Sequence, residues 1–168
     1  MIYSTADNKL IIKRVLVSAK TIAMVGVSSI KKEIATSIKR RPSIIVMKYL
    51  QEFGYRVIPV NPFSVGMEIY GETIVGKLED ISIPIDVINV FRPSKEIPPI
   101  AKQTVKIGAK ALWLQYGIEN YEAQKIVESA NITYIANRCI KQEYQKLFLK
   151  MSPVFPVLQQ DIDKNNSN

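Results

Sequence analysis

Five short apolar segments, separated by stretches of helical periodicity, set the strongest limit on how this chain can fold. Each is rich in Val and Ile or in aromatic residues, which is typical of buried strands, and they cover residues 21–27, 55–60, 85–91, 109–114 and 132–136. Strands that are apolar on both faces and alternate with helices predict a parallel sheet covered by helices on each side. The sheet is therefore expected to be five-stranded and mainly parallel.

The helices are predicted from apolar residues that recur three and four positions apart. The clearest helix has Ser43 as its expected N-cap, runs through Phe53 and is followed by Gly54 as the C′ residue. The other helices are expected at about residues 8–17, before Gly108, after the N-cap Asn120, and over Ile140, Tyr144, Leu147 and Phe148. Together these elements predict a Rossmann-like α/β fold with three layers, α/β/α, whose ligand site lies at the carboxyl ends of the strands.

The length of 168 residues fits one domain, which we assign to residues 1–150, and leaves residues 151–168 as a tail that is either docked or disordered. No apolar run approaches the roughly 20 residues of a bilayer span, and the N-terminus lacks the pattern of a secretory signal. A single cysteine, Cys139, suits a reducing compartment. We therefore expect a cytoplasmic protein without a membrane segment.

A formal net charge of +8 favours anionic partners, such as nucleotides, nucleic acid or anionic lipid. The basic residues are dispersed apart from the runs at residues 31–32 and 39–41, so a solubilising surface explains the charge equally well. Charge alone therefore does not predict a nucleic-acid partner.

The first candidate site is the turn after the first strand, formed by Gly26, Val27, Ser28 and Ser29. A residue without Cβ lets backbone approach a phosphate closely, and the serine hydroxyls add hydrogen-bond donors. The turn has one glycine where the dinucleotide fingerprint has three, so many strand-to-helix turns would look similar. The second strand ends at Asn61 and Pro62 without the acid that usually binds a ribose, which counts against ordinary NAD binding.

A second candidate phosphate site is the step Arg41, Pro42, Ser43 at the start of the clearest helix. A guanidinium forms bidentate hydrogen bonds to phosphate, and a helix N-terminus adds a positive dipole end. The alternative is a solvated insertion, because residues 30–42 are rich in basic side chains. Pro42 and Ser43 favour the site, since they fix Arg41 beside the helix start.

The motifs IAMVGVSS, RPSIIVMKYLQEFGYRVIPVNP, DVINVFR, IGAKALWLQYGI and NRCIKQEY occur in this order between residues 22 and 144, within a resemblance that spans about residues 10–149. In this arrangement the chain resembles the small CoA-binding protein family, a single Rossmann-like domain akin to the CoA-binding domain of the succinyl-CoA synthetase α subunit. The resemblance implies that coenzyme A lies across the strand ends. Its phosphates and adenine would lie near Gly26, Val27, Ser28, Ser29, Arg41, Pro42, Ser43, Asn61, Pro62, Phe91 and Arg92. Gln115, Gly117, Arg138 and Cys139 match later motifs of the family and would border the same groove.

The chain departs from the family pattern in two places. The loop between Ser28 and Arg41 is longer, and Phe63 stands where a basic residue often follows the Asn-Pro step. We expect lysines of the long loop, Lys31 and Lys32, to compensate for the missing cation. Cys139 leaves two alternatives open: a thiol that reacts near the end of the coenzyme A arm, or a small buried apolar residue.

Three functions follow from these observations. The first is a module that binds CoA or an acyl-CoA without catalysis of its own, and it accounts for most of the residues named above. The second is an enzyme of the acyl-CoA synthetase type, or a partner subunit of an acyl-CoA synthetase or ligase. The related synthetases transfer a phosphoryl group through a histidine, and this chain contains none, which counts against synthesis by this chain itself. The third is an NAD-linked or nucleic-acid-linked regulator, which rests on charge and fold alone. A homodimer or a partner enzyme stays open.

Overall fold

Five parallel strands form the central sheet of the computed structural model, which describes residues 5–28 and 41–150. These five are β1 Thr21–Val25, β2 Arg56–Val60, β5 Val87–Val90, β6 Ala111–Leu114 and β7 Thr133–Ile135, and a separate pair is formed by β3 Glu68–Ile69 and β4 Glu72–Thr73. The large sheet has the order β2-β1-β5-β6-β7, and each neighbouring pair is parallel. This confirms the predicted strands. Each strand is shorter than the apolar segment that predicted it, because the residues that pair by hydrogen bonds are fewer than the apolar residues of the segment.

Helices cover both faces of this sheet. They are α1 Thr5–Ser18, α2 Pro42–Glu52, α3 Ile97–Ile107, α4 Tyr121–Ser129 and α5 Ile140–Tyr144, which continues into a π-helical segment Gln145–Leu149. One core cluster joins α1, α2 and α5 to one face of the sheet, around the buried Trp113, and the other joins α3 and α4 to the opposite face, around Leu112. The predicted three-layer fold is confirmed. No helix in the described ranges is long and apolar enough to cross a membrane.

The N-cap predicted for α2 is wrong, whereas the predicted C-terminal glycine is confirmed. Arg41 is the N-cap residue, Pro42 opens the helix and Ser43 lies inside its first turn. Proline suits the first helical position because its φ is already helical and its missing N–H is not needed there, so the start shifts two residues earlier. At the other end Gly54 has φ +91° and donates to Gln51, and Tyr55 donates to Leu50, a Schellman arrangement.

The small antiparallel pair of β3 and β4 was not predicted. Tyr70 and Gly71 form its two-residue turn with φ of 47° and 80°, the positive values that a type I′ hairpin turn requires. Each strand has two residues, too few for a periodic signal. The hairpin buries Ile69, and Val75 after it forms a bridge to Val60 at the end of β2.

The topology places a crevice beside the end of β1. Strand β1 leads toward α2 on one face of the sheet, whereas its neighbour β5 leads to α3 on the other. Such a switch point opens a crevice outside the carboxyl ends of the strands, where ligands of open α/β sheets bind.

At the opposite end of the sheet, Asp86 ties three segments together. Its carboxylate accepts the backbone N–H groups of Lys20 at 2.8 Å and Thr21 at 3.1 Å, and it pairs with Nζ of Lys110 at 2.8 Å. Burial acts to raise the pKa of Asp86, but the hydrogen bonds from Lys110 and from the two backbone amides outweigh it and hold the pKa below its ordinary value of 3.8. Asp86 therefore has a structural role far from the crevice.

We expect Asp86→Asn to lower the free energy of unfolding at neutral pH by about 1–2 kcal/mol, because it removes an ion pair and weakens two hydrogen bonds. The folded-state pKa is depressed, so this contribution is complete above the unfolded value and is lost as the pH falls through the folded value. Urea titrations at several pH values test this, with the exposed Asp80→Asn as control. A difference between wild type and Asp86→Asn that stays constant well below pH 3.8 would contradict the assignment.

Candidate functional site

An open groove with a volume of about 800 Å³ lies at the carboxyl ends of β2, β1 and β5. The strand ends contribute seven residues that the sequence predicted: Gly26, Val27, Ser28, Asn61, Pro62, Phe91 and Arg92. The opposite wall comes from the segment after β4, with Lys77, from the loop before α3, with Lys95 and Glu96, and from α3 itself, with Pro99, Ile100 and Gln103. Size and position fit a small-molecule site at a topological switch point.

The turn after β1 needs glycine at position 26. Gly26 has φ +87°, a conformation that residues with a side chain rarely adopt. A Cβ there would lie 2.8 Å from the carbonyl oxygen of Phe91 and 2.7 Å from Cδ of Arg92. The missing side chain therefore lets the turn after β1 pack directly against the turn after β5, and it brings Arg92 to the floor of the groove.

Two serines join this turn to helix α2. The backbone N–H of Ser28 donates to Oγ of Ser43 at 3.1 Å, and the two hydroxyls lie 3.1 Å apart. The N–H of Gly26 is also bonded within the protein, to the carbonyl of Val60 at 3.1 Å. One hydroxyl hydrogen is used between the serines, so one remains to donate outward. The turn can thus offer a ligand a hydroxyl, while two of its backbone amides hold the fold together.

Asn61 bridges the two loops at the groove. Its Nδ2 donates to the carbonyl of Val27 at 2.7 Å, and its Oδ1 accepts the N–H of Phe63 at 2.8 Å. The residue is only 7% exposed. Where a dinucleotide-binding sheet has an acid for the ribose, this chain has an amide, and the amide connects the ends of the first and second strands.

Arg92 carries the most specific polar geometry of the groove. Its Nε and Nη2 donate to the two carboxylate oxygens of Glu96 at 2.7 and 2.9 Å. The hydrogen bond from Arg92 lowers the pKa of Glu96, so this carboxyl is ionised at neutral pH. Both side chains are about two-fifths exposed, 41% for Arg92 and 37% for Glu96, and are accessible from the groove.

The wall from α3 has no backbone N–H to donate at Pro98 and Pro99, which lie in the first turn of the helix. Lys77 and Lys95 add positive charge there. Our sequence reasoning missed Lys77, Lys95, Glu96 and Gln103; the i,i+4 spacing of Arg92 and Glu96 was a signal that could have found that pair.

The remaining predicted residues lie elsewhere. Gln115 is buried and donates to Oδ1 of Asn89, Gly117 donates its N–H to Asn137, and the carbonyl of Arg138 accepts from Trp113. Cys139 precedes α5 and packs, half-buried, against the core. They follow β6 and β7, and in the described part of the chain none of Gln115, Gly117, Arg138 and Cys139 lines the groove at Gly26.

Arg41, Pro42 and Ser43 lie at the start of α2, where Ser43 connects to the groove through Ser28. Ser29, Lys31 and Lys32 lie outside the described residues. Arg138 lines a different groove, of about 720 Å³, beside β7. Within residues 5–28 and 41–150, no three or more His, Cys, Asp or Glu side chains are grouped to hold a metal ion.

The sequence and the fold both match known proteins. The chain is 37% identical over 130 residues to the uncharacterised protein YneT of Bacillus subtilis, covering 77% of this chain and 89% of that protein. The structure of cell-free ID.343 from Thermus thermophilus superposes with a TM-score of 0.76 at 35% identity, over 84% of this chain and 99% of that one.

A more distant likeness extends to a larger enzyme. The dinucleotide-forming acetyl-coenzyme A synthetase 1 of Ca. Korarchaeum cryptofilum shares the fold, with a TM-score of 0.52 and 21% identity over 70% of this chain and 26% of that protein. Residues 20–145 match the family model described as a CoA binding domain. The chain therefore belongs to the CoA-binding domain family, with its Rossmann-like α/β fold.

Proposed function

We propose that this protein binds coenzyme A or an acyl-CoA in the groove at Gly26, as a binding module without catalysis of its own. The observation that carries the proposal is the contact between the Gly26 turn and the Phe91–Arg92 turn at the switch point, in a chain of the CoA-binding domain family. The groove beside this contact is lined by a guanidinium, two lysines and a serine hydroxyl. That set suits a ligand with several phosphates.

Each part of the groove has a proposed task. Arg92, Lys77 and Lys95 hold the phosphates from one side, and the hydroxyl of Ser28, which lines the groove and is hydrogen-bonded to Ser43, donates from the other. The ring of Phe63, 86% exposed at the groove, offers a surface on which adenine stacks. We further propose that Arg41, Pro42 and Ser29 contact the phosphates, and that Gln115, Gly117, Arg138 and Cys139 border the path of the pantetheine arm.

The carboxylates support binding rather than catalysis. General acid–base chemistry needs a carboxylate within reach of the reacting group. Asp86 lies at the opposite end of the sheet, Glu143 pairs with Arg138 at 3.4 Å and Lys146 at 3.3 Å, and Glu96 is held by Arg92. The sequence has no histidine that could carry a phosphoryl group.

Thermal unfolding with CoA, acetyl-CoA, NAD, ATP and pantetheine tests the proposal. A ligand that binds only the folded form stabilises it, by about 2.7 kcal/mol at one hundred times its Kd. We expect CoA to raise the unfolding temperature more than NAD does, because no acid stands at the end of β2, where a dinucleotide-binding sheet binds the ribose. No shift at millimolar CoA would contradict the proposal, and salt-dependent DNA binding in its place would favour the nucleic-acid alternative. Light scattering with and without CoA reports whether a homodimer forms.

A further inference from the structure

The guanidinium of Arg92 is already hydrogen-bonded to an anionic side chain of the protein itself, Glu96. Nε and Nη2 form two parallel hydrogen bonds to the carboxylate of Glu96, at 2.7 and 2.9 Å. Phosphate oxygens bind a guanidinium with the same bidentate geometry. The side chain of Arg92 also crosses the Gly26 turn, where its Cδ lies 2.7 Å from the position of a Cβ. Arg92 is therefore fixed beside the turn, while its hydrogen-bonding edge faces Glu96.

Glu96 is well placed to hold that edge. It is the N-cap residue of α3, where the positive end of the helix dipole favours a negative charge. Pro98 and Pro99 remove two amides that could otherwise bind an arriving anion at this helix end. A phosphate on this wall must therefore obtain its directional hydrogen bonds from side chains, and Arg92 is the bidentate donor among those that line it.

We propose that Glu96 competes with the ligand for Arg92: on binding, Arg92 exchanges the carboxylate of Glu96 for a phosphate of the ligand. Glu96 thus lowers the affinity of the groove for every phosphorylated ligand and leaves the affinity for unphosphorylated ones unchanged. The inference rests on the proposed function for the identity of the ligand, but the exchange itself needs only a phosphate group.

The test uses Glu96→Gln, which keeps the shape of the side chain and removes its charge. The control is Glu122→Gln, which removes the same charge from an exposed position of α4 outside the groove. Calorimetric titrations with CoA, inorganic pyrophosphate and pantetheine are compared for the full-length proteins. We expect Glu96→Gln to bind CoA and pyrophosphate about threefold to tenfold more tightly, whereas its affinity for pantetheine should not change. This range corresponds to the loss of an exposed ion pair with Arg92 together with the loss of repulsion between the Glu96 carboxylate and the phosphate.

A double-mutant cycle identifies the partner. In an Arg92→Met background, Glu96→Gln should give less than about half of its gain, because the exchanged guanidinium is absent. Unchanged or weaker pyrophosphate binding by Glu96→Gln would overturn the proposal and assign Glu96 the role of orienting Arg92. The experiment tests the proposed function and the exchange at Arg92 separately. If the wild type does not bind CoA, the proposed function is contradicted, even where Glu96→Gln binds pyrophosphate more tightly than the wild type does.

Discussion

Gly26→Ala is expected to lower the free energy of unfolding by about 2–4 kcal/mol and to abolish coenzyme A binding. The alanine would have to adopt φ +87°, and its Cβ would lie 2.8 Å from a backbone carbonyl that cannot move without shifting β5. The two turns must then separate, and Arg92 moves with them. Urea unfolding measures the loss of stability, and calorimetry with CoA measures the loss of binding.

Gly54→Ala is the matched control for this substitution. Gly54 has nearly the same φ, +91°, but nothing lies within 4 Å of the position of its Cβ, and it stands at the end of α2. Gly54→Ala should lose only about 1 kcal/mol of the free energy of unfolding, the conformational cost of a side chain at positive φ, and should keep its affinity for CoA. Equal losses in the two variants would mean that the contact between the turns contributes nothing.

Asn61→Asp should destabilise the protein by about 2–3 kcal/mol at neutral pH and weaken CoA binding at least tenfold. The substitution preserves the acceptor for Phe63 but replaces the donor to Val27 with a charged oxygen facing a carbonyl at about the present distance of 2.7 Å. Although it installs the acid that a dinucleotide-binding sheet has at this place, we expect no gain in NAD affinity. The side chain at position 61 is buried and points to the carbonyl of Val27.

The pH dependence separates this explanation from a simple loss of packing. Burial beside a carbonyl raises the folded-state pKa of the introduced carboxyl, so its penalty is full at high pH and shrinks as the pH falls through that pKa, when its O–H can donate to Val27. Asn131→Asp, at an exposed position just after α4, is the control and should change stability by about 0.5 kcal/mol or less, since its side chain lies in solvent and Asp tolerates the positive φ of this position. If Asn61→Asp lowers the free energy of unfolding relative to wild type by the same amount at pH 4 and at pH 7, the explanation is contradicted.

The sequence predicted the features that depend on local periodicity. The alternation of strands and helices follows from the pattern of apolar residues along the chain. Asn120 begins a helix and Gly54 ends one because of capping and backbone preferences that act over a few residues. Ser43 was misassigned because serine is a good N-cap, but the proline before it decides where α2 begins. The β3–β4 hairpin, with two residues in each strand, is set by tertiary contacts such as the bridge between Val60 and Val75.

The sequence predicted only the wall of the groove that is formed by strand ends. Residues at strand ends, such as Gly26, Asn61 and Arg92, could be located because parallel strands end at one edge of the sheet. Lys77 and Gln103 come from segments whose approach depends on how α3 crosses the sheet, and sequence spacing does not report that crossing. Gln115 follows a strand of the same sheet, but its buried side chain bonds to Asn89 and does not reach the groove.

The two walls of the groove differ in how easily they can change. At Gly26 the wall is backbone held by its contact with Phe91, so nearly any substitution there disturbs the fold. On the α3 wall the two prolines offer no amide, so under the proposed function recognition would rest on the side chains of Lys77, Lys95 and Gln103; Lys77 and Lys95 stand outside the helix, and their replacement leaves it intact. New ligand preferences can therefore evolve, or be engineered, on the α3 wall one side chain at a time while the opposite wall stays as it is.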